Sequence, residues 1–192
     1  MKDLQNLTDE QLAAKALENV DFFGFLIERF ESKLKNFVLR ISNFSPEIAE
    51  EILQETFLKA WKNLQDFDPK QKFSTWIFTI ARRETISNFR KFSSRGEDKK
   101  VELDESLFEN LGDKISLESD LDLKLEARNV QRVLQLLPVK FREILILFFL
   151  EEKSHREISD ILQIPTGSVG ARISRAKKQF ATKWQENFSR KK

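Results

Sequence analysis

Cysteine is absent from this chain of 192 residues. Its absence excludes a disulfide framework and a thiolate metal site, and it fits a reducing cytoplasm. Long apolar runs are also missing, since the longest, residues 144–150, is far shorter than the roughly 20 residues that cross a bilayer. The N-terminal residues are polar, with acids at Asp9 and Glu10, which is unlike a secretory signal. We therefore expect a cytoplasmic protein that does not insert into a membrane.

Glycine and proline are scarce, with five and four residues respectively. The strict alternation of apolar and polar residues that is typical of strands is also rare. Apolar residues recur instead at intervals of three and four, which is the period of an amphipathic helix. The sequence therefore predicts an all-α fold.

Residue types that carry catalysis are few. The chain has one histidine, His155, and it has neither a glycine-rich phosphate loop nor a nucleophile elbow. Glu50, Glu51 and Glu55 have no neighbouring histidine, so a solvated or protein-binding face explains them better than a metal site. We therefore predict no catalytic residue, no metal, no cofactor and no enzymatic activity.

Residues 154–180 have the pattern of a helix-turn-helix. Ser154 and Glu157 form a capping box for a first helix over residues 155–162, and Pro165 separates it from a second helix that Thr166 can cap. In DNA-binding proteins of this type the second helix enters the major groove. An ordinary helical hairpin with a solvated basic face is the alternative. The second helix has an apolar stripe (Val169, Ile173, Ala176, Phe180) and a polar face (Ser168, Arg172, Arg175, Gln179).

Start and stop signals predict further helices on both sides of a polar middle segment. Thr8 with Gln11 forms a capping box, Ser45 before Pro46 opens a third helix, and Ser74 is predicted to cap a fourth. The predicted helices cover about residues 9–19, 21–41, 46–65, 75–92 and 124–137, and the helix after Pro138 is apolar nearly all round.

Charge is distributed unevenly along the chain. Residues 101–127 contain nine acids and two bases, a net charge of −7, whereas residues 168–192 contain eight bases and one acid, a net charge of +7. Turn residues and scattered apolar residues in the acidic segment predict a flexible linker between two small helical domains. The predicted divisions are a first domain at 1–92, the linker at 93–123, a second domain at 124–184 and a basic tail at 185–192.

Two separated blocks resemble one protein family. Residues 49–61, AEEILQETFLKAW, and residues 67–91, FDPKQKFSTWIFTIARRETISNFRK, resemble region two of bacterial sigma factors of the sigma-70 family. Residues 137–180 resemble region four. The order of the blocks and the acidic segment between them are similar to the compact extracytoplasmic-function (ECF) class. In that family region two binds core RNA polymerase and opens the −10 element, and region four reads the −35 element.

The resemblance implies a role for each residue that matches a family motif. Core RNA polymerase is expected at Glu51, Gln54, Glu55 and Leu58. The −10 DNA is expected at Phe67, Lys70, Lys72, Phe73, Trp76, Arg82, Arg83 and Arg90, because aromatic rings beside cations suit single-stranded DNA, although Trp76 also fits a core position. The −35 DNA is expected at Thr166, Ser168, Arg172, Arg175 and Lys178, with Thr166 and Ser168 near phosphate.

Some positions depart from the family pattern. Ser87 and Asn88 stand where an aspartate is usual, and Ser159 stands where a small alanine packs the helix-turn-helix. Gly170 replaces the usual lysine or arginine of the recognition helix, which puts the strength of −35 recognition in question.

The predicted function is that of a sigma factor, which binds core RNA polymerase and directs promoter recognition and DNA melting in transcription initiation. Its expected partners are core RNA polymerase and promoter DNA, both duplex and melted strand, with an anti-sigma factor as a possible third partner. The alternative is a helix-turn-helix transcriptional regulator whose N-terminal domain is only a protein-interaction module.

Overall fold

A computed structural model describes the backbone of residues 6–94 and 120–188 and the side chains of residues 6–92 and 125–188. Within these residues the regular structure is helical and contains no strand, so the prediction of an all-α fold is confirmed. None of the helices described is long and apolar enough to cross a membrane. The helices are α1 (Asp9–Ala16), α2 (Asp21–Ser42), α3 (Pro46–Lys62), α4 (Phe73–Ser94), α5 (Asp120–Gln135), α6 (Val139–Leu145), α7 (His155–Leu162) and α8 (Thr166–Phe188).

The chain divides into two compact units. The first comprises Met1–Val38 and Glu47–Asp98, and the second comprises Leu39–Pro46 and Lys99–Lys192. The predicted linker lies mostly outside the described residues, so its flexibility and the predicted domain boundaries stay predictions. The first four residues of the predicted basic tail, 185–188, are helical because α8 continues to Phe188. Residues 189–192 lie outside the described part.

The first unit is built from apolar faces of α1 to α4. Phe37 of α2 and Phe78 of α4 are almost fully buried and their ring centroids lie 5.0 Å apart. Thr56 of α3 is also fully buried, and its hydroxyl donates a hydrogen bond to the carbonyl of Ile52 at 2.7 Å, which satisfies the polar group inside the core. The core positions of α3 are Ala49, Ile52, Leu53, Thr56, Phe57 and Ala60.

Capping explains where some helices of this unit begin. The predicted capping box of Thr8 and Gln11 is present at the start of α1. The predicted cap of α4 at Ser74 is wrong, because α4 begins one residue earlier, at Phe73. The backbone N–H of Phe73 donates to Oε1 of Glu10 at 3.0 Å. A carboxylate from α1 therefore satisfies a free N–H of the first turn, and its negative charge suits a helix N-terminus.

Other helix ends differ from the predictions by a few residues. α1 ends at Ala16 instead of residue 19, and α3 ends at Lys62, after which Leu64–Asp66 form a short 3₁₀ turn. α5 covers Asp120–Gln135 instead of residues 124–137. Terminal turns are held by few hydrogen bonds, so their length depends on packing that periodicity alone does not report.

The second unit contains the predicted helix-turn-helix, α7 and α8. α7 has the predicted bounds, and Ser154 and Glu157 form the predicted capping box. Gln163 ends α7 in the left-handed conformation, with φ of 55°. The predicted apolar stripe of α8 is buried at Val169, Ile173 and Ala176, whereas Phe180 is half-buried.

The apolar segment after Pro138 is only partly core. The α-helical part, α6, ends at Leu145, and Ile146–Leu150 continue as a π-helical turn. Ile144 and Leu147 are fully buried, but Phe149 and Leu150 are 51% and 43% exposed. The prediction that this segment is core is therefore correct for residues 142–147, which are buried, and wrong for its end, where Phe149 and Leu150 are exposed.

Arg142 of α6 is buried and holds the end of α5. Its guanidinium donates to the carbonyls of Leu134, Gln135 and Leu137 at 2.8–3.0 Å, and also to the carbonyl of Ile41, which belongs to the same unit, at 2.6 Å. Burial lowers the pKa of Arg142 to about 10, so the side chain stays charged at neutral pH. The carbonyls at a helix C-terminus have no partner within the helix, and a cation there is favourable.

We expect Arg142→Met to lower the free energy of unfolding of this unit by about 3 kcal/mol or more, because buried carbonyls would lose their donors at about 1–3 kcal/mol each. Urea unfolding of the full chain, followed by circular dichroism, measures the change. Lys140→Met is the matched control, since Lys140 is exposed on the same helix and should change stability by less than about 0.5 kcal/mol. Equal stability of the two variants would contradict the role of Arg142.

Candidate polymerase and nucleic-acid interfaces

The predicted polymerase-binding residues share one exposed face of α3. Glu51, Gln54 and Glu55 are exposed, and the side chain of Leu58 is 45% exposed. Their spacing of three and four residues places them side by side on the helix surface. The face lies opposite the buried positions of α3 because a surface helix buries only one stripe.

An apolar groove lies beside this face, between α2 and α3. It has a volume of about 380 Å³ and is lined by Phe23 and Ile27 of α2 together with Leu53, Phe57 and Trp61 of α3. The rings of Phe23 and Trp61 lie 5.2 Å apart, and Trp61 is 38% exposed. Glu31, Glu50, Gln54 and Leu58 line the groove as well.

Sequence reasoning did not identify the α2 side of this groove. Phe23 and Ile27 are four residues apart on a helix with many apolar positions, so periodicity did not separate a groove wall from the core. Trp61, three residues after Leu58, was the available signal, because a large aromatic side chain on the outer stripe of a helix often marks a contact site.

One lysine connects the outer face of α3 with α4. Nζ of Lys59 lies 2.7 Å from Oε2 of Glu84 in α4 and 3.4 Å from Oε1 of Glu55. The hydrogen bond to Glu84 raises the pKa of Lys59, with a further contribution from Glu55. The cation thus partly neutralises Glu55 and holds the α3 face against α4.

The aromatic residues predicted to capture −10 DNA form a packed cluster. Phe73 is fully buried and Phe67 is 8% exposed, and their centroids lie 5.4 Å apart in an edge-to-face arrangement. Trp76 packs against both rings, at 5.2 and 5.5 Å, and is half-buried. In this arrangement Trp76 is partly exposed at the surface, whereas Phe67 and Phe73 are buried and pack against its ring.

Basic residues lie in the loop before α4 and along the side of α4 that carries Trp76. Lys70 and Lys72 are exposed in the loop before α4. Arg83 and Arg90 follow Trp76 at intervals of seven residues and are exposed, so these three side chains lie along one side of α4. Arg82 is half-buried and points away from that line by about one residue step of 100°. The loop itself is closed by Asp68, whose side chain accepts from the N–H of Lys70 at 2.9 Å.

The predicted −35 residues lie on the outer part of α8. Ser168, Arg175 and Lys178 are exposed, and Arg172 is half-buried. Thr166 is exposed as well, but its hydroxyl donates to Oγ of Ser159 in α7 at 2.9 Å. The structure therefore brings the basic residues together and directs the Thr166 hydroxyl towards α7.

Gly170 lies on the side of α8 that faces the start of α7. A Cβ atom added there would lie 3.8 Å from Cε1 of His155, which is an ordinary van der Waals distance. The protein itself therefore has room for a side chain at this position.

The second unit also has an apolar groove of about 450 Å³. Phe149, Leu150 and Phe180 line it, and Nζ of Lys177 lies 5.7 Å from the centroid of Phe149. Phe180, Trp184 and Phe188 continue as a row of ring contacts along α8. Sequence reasoning missed this groove because Phe149 and Leu150 were assigned to the core.

Two protein families match the chain. The family described as Sigma-70 region 2 matches residues 26–95, and the family described as Sigma-70, region 4 matches residues 127–180. The first range contains the α3 face and the Trp76 cluster, and the second contains the helix-turn-helix. A regulator with an unrelated N-terminal interaction module is not favoured by the presence of both regions.

Relatives and solved structures agree with these matches. The chain is 33% identical to the ECF RNA polymerase sigma factor SigW of Bacillus subtilis, over 82% of this chain and 86% of that protein. It is 28% identical to the ECF RNA polymerase sigma factor RpoE of Cereibacter sphaeroides, over 79% and 80% respectively.

Two solved structures share the fold. CnrH, solved in complex with the cytosolic domain of CnrY, covers 93% of this chain and 98% of its own, with a TM-score of 0.68 and 23% identity. RpoE of Bartonella quintana, solved with the anti-sigma factor NepR, covers 88% and 98%, with a TM-score of 0.65 and 24% identity. With both regions present in order and SigW similar over most of its length, the chain belongs to the ECF class of RNA polymerase sigma factors, which act in transcription initiation.

Proposed function

We propose that this sigma factor binds core RNA polymerase through the α2–α3 groove and the acidic face beside it. The observation that carries the proposal is an exposed apolar groove, with Trp61 at 38% exposure, next to Glu51 and Glu55. An apolar centre with a charged rim is the usual composition of a protein interface. A helical partner with apolar side chains for the groove and basic side chains for the glutamates would fit this surface.

The proposed −10 surface consists of Trp76 with the basic residues of the preceding loop and of the same side of α4. Stacking of an unpaired base on an aromatic ring contributes about 1–3 kcal/mol, and nearby cations hold the DNA backbone. Phe67 and Phe73 keep their predicted place in this site, but their burial supports a role in holding Trp76. Lys70, Lys72, Arg83 and Arg90 are the proposed backbone contacts, with Arg82 at the margin.

The proposed −35 surface is the outer face of α8. Arg175 and Lys178 are exposed there, and Arg172 flanks them. Arginine can read guanine by two hydrogen bonds in the major groove, whereas lysine and Ser168 suit phosphate. The cation-rich C-terminal segment, with its net charge of +7 over residues 168–192, supports the attraction to DNA.

Four further expectations belong to this proposal. We infer that the protein has no enzymatic activity of its own and works in the cytoplasm, where RNA polymerase and DNA are. An anti-sigma factor is a proposed partner, because RpoE of Bartonella quintana, which shares the fold, was solved with such a protein. The apolar groove beside Phe149 is a second exposed surface that a protein partner could cover.

Initiation in vitro tests the proposal. The full chain is added to core RNA polymerase with a library of random promoters, and transcripts are sequenced. The expected result is initiation from promoters that share a −10 and a −35 element. Core polymerase alone should initiate from none of these promoters. Duplex binding without polymerase and no specific initiation would instead support the helix-turn-helix regulator.

Charge reversal of the α3 face tests polymerase binding. We expect Glu51→Lys with Glu55→Lys to weaken binding to core polymerase at least tenfold, since two acid contacts become repulsive, while helical content is kept. Binding is measured by fluorescence anisotropy of the labelled chain with core enzyme. Glu18→Lys with Glu28→Lys is the control, because it changes the net charge equally at exposed acids that lie outside the predicted α3 face. Equal affinity of both double variants would show that the face is misassigned.

Substitution of Gly170 tests how closely α8 approaches DNA. Glycine within a helix is less favourable than alanine by roughly 1 kcal/mol, so Gly170→Ala should stabilise the unit by about 0.5–1 kcal/mol. One account is that glycine at position 170 has only removed a contact with DNA. Gly170→Ala should then leave binding of the polymerase complex to −35 promoters equal or stronger. Gly170→Lys should strengthen this binding and make its salt dependence steeper by about one phosphate contact. We expect this result because a Cβ is accommodated beside His155.

The opposite account is that Gly170 lets the backbone of α8 approach the groove closely. Weaker promoter binding by both the alanine and the lysine variant would establish it. Gly24→Ala is the control for helix propensity, because Gly24 lies in α2 with nothing within 4 Å of an added Cβ. This variant should gain stability without any change in −35 binding.

A further inference from the structure

Two hydroxyl groups meet at the turn between α7 and α8. Oγ1 of Thr166, the first residue of α8, donates to Oγ of Ser159 at 2.9 Å. Oγ of Ser159 donates in turn to the carbonyl of Ile164, in the turn, at 2.6 Å. One side chain of α7 thus contacts both the turn and the start of the second helix.

The direction of these hydrogen bonds follows from chemistry. A hydroxyl has one proton to donate and two lone pairs to accept with. The carbonyl of Ile164 can only accept, so Ser159 uses its proton there and must accept from Thr166. The hydroxyl proton of Thr166 is then used in the hydrogen bond to Ser159. The Thr166 hydroxyl therefore cannot donate to a DNA phosphate while this arrangement persists.

Ser159 also holds the turn through its backbone. The N–H of Ile164 donates to the carbonyl of Ser159 at 3.1 Å, so residues 159 and 164 exchange two hydrogen bonds. Gln163 between them has the left-handed conformation, and Pro165 has no N–H to contribute. The path from α7 to α8 therefore depends largely on contacts made by Ser159.

We propose that Ser159 is a positioning residue for promoter recognition. It fixes where α8 begins and in which direction it leaves the turn, and Thr166 acts through Ser159 instead of contacting DNA itself. This inference rests on the proposed −35 role of α8, and it changes the role of Thr166, which the family resemblance placed near phosphate. Where the family resemblance implies a closely packed alanine, Ser159 makes hydrogen bonds.

The test measures −35 dependence with the full chain bound to core RNA polymerase. The readout is the ratio of open-complex formation on a selected promoter to that on the same promoter with a scrambled −35 element. An inactive fraction of protein cancels in this ratio, so loss of folding alone does not change it. The variants are Ser159→Ala, Thr166→Val, their combination, and Thr166→Ser, which keeps the hydroxyl.

We expect Thr166→Val, which removes one hydrogen bond of about 1 kcal/mol, to lower the ratio about fivefold, and Ser159→Ala, which removes two, to lower it at least as much. The double variant should lose no more than Ser159→Ala alone, because the hydrogen bond of Thr166 is already lost when Ser159 is replaced. Thr166→Ser should keep the ratio of the unaltered chain. Losses that multiply in the double variant, or an unchanged ratio for Ser159→Ala, would overturn the proposal.

Two controls separate this proposal from the function on which it rests. Thr182→Val removes a hydroxyl from the same helix, where Thr182 bonds the carbonyl of Lys178, and it should leave the ratio unchanged. Arg175→Ala should lower the ratio strongly if α8 reads the −35 element. If Arg175→Ala has no effect, the −35 role of α8 is wrong and the positioning role of Ser159 falls with it; an effect of Arg175→Ala without one of Ser159→Ala overturns the positioning role alone.

Discussion

The proposed interfaces of this protein follow from one constraint, that each surface helix must bury a single apolar stripe. Along α3 the buried stripe passes through Ile52 and Thr56, which leaves Glu51 and Glu55 on the opposite side. α8 obeys the same geometry, since burial of its apolar stripe leaves the basic side chains of the helix outside. Hydrophobic burial therefore determines the orientation of the proposed binding faces, although the residues on those faces contribute little to the core.

The ends of the helices depend on a different interaction, hydrogen bonding to groups from elsewhere in the chain. Glu10 satisfies the first turn of α4, and Arg142 satisfies the last turn of α5. The hydroxyl of Ser159 likewise donates a hydrogen bond to a backbone carbonyl in the turn before α8. Because free backbone groups at helix ends need partners when water is excluded, these side chains decide where the helices start and stop and where the proposed binding faces lie.

The aromatic cluster at the start of α4 shows that burial and binding can involve the same residues. Phe67 and Phe73 match the family pattern for DNA capture, yet the core encloses them and Trp76 covers them. An aromatic ring presented to a base must itself be held firmly, and edge-to-face packing on other rings is one way to hold it. A segment can therefore match a family motif while only some of its residues reach the surface.

The sequence by itself determined the all-α fold, the capping boxes at Thr8 and Ser154, and the family, because periodicity, capping and motif order depend on residues close together in the chain. Only the tertiary structure decided that Phe73 is buried, that Phe149 is exposed, and which groups end the helices. It also revealed the groove beside Trp61 and the hydrogen bond that occupies the hydroxyl predicted to face phosphate. These features arise between segments that are distant in sequence or joined by a turn, and their geometry depends on how helices pack, which periodicity within one helix does not specify.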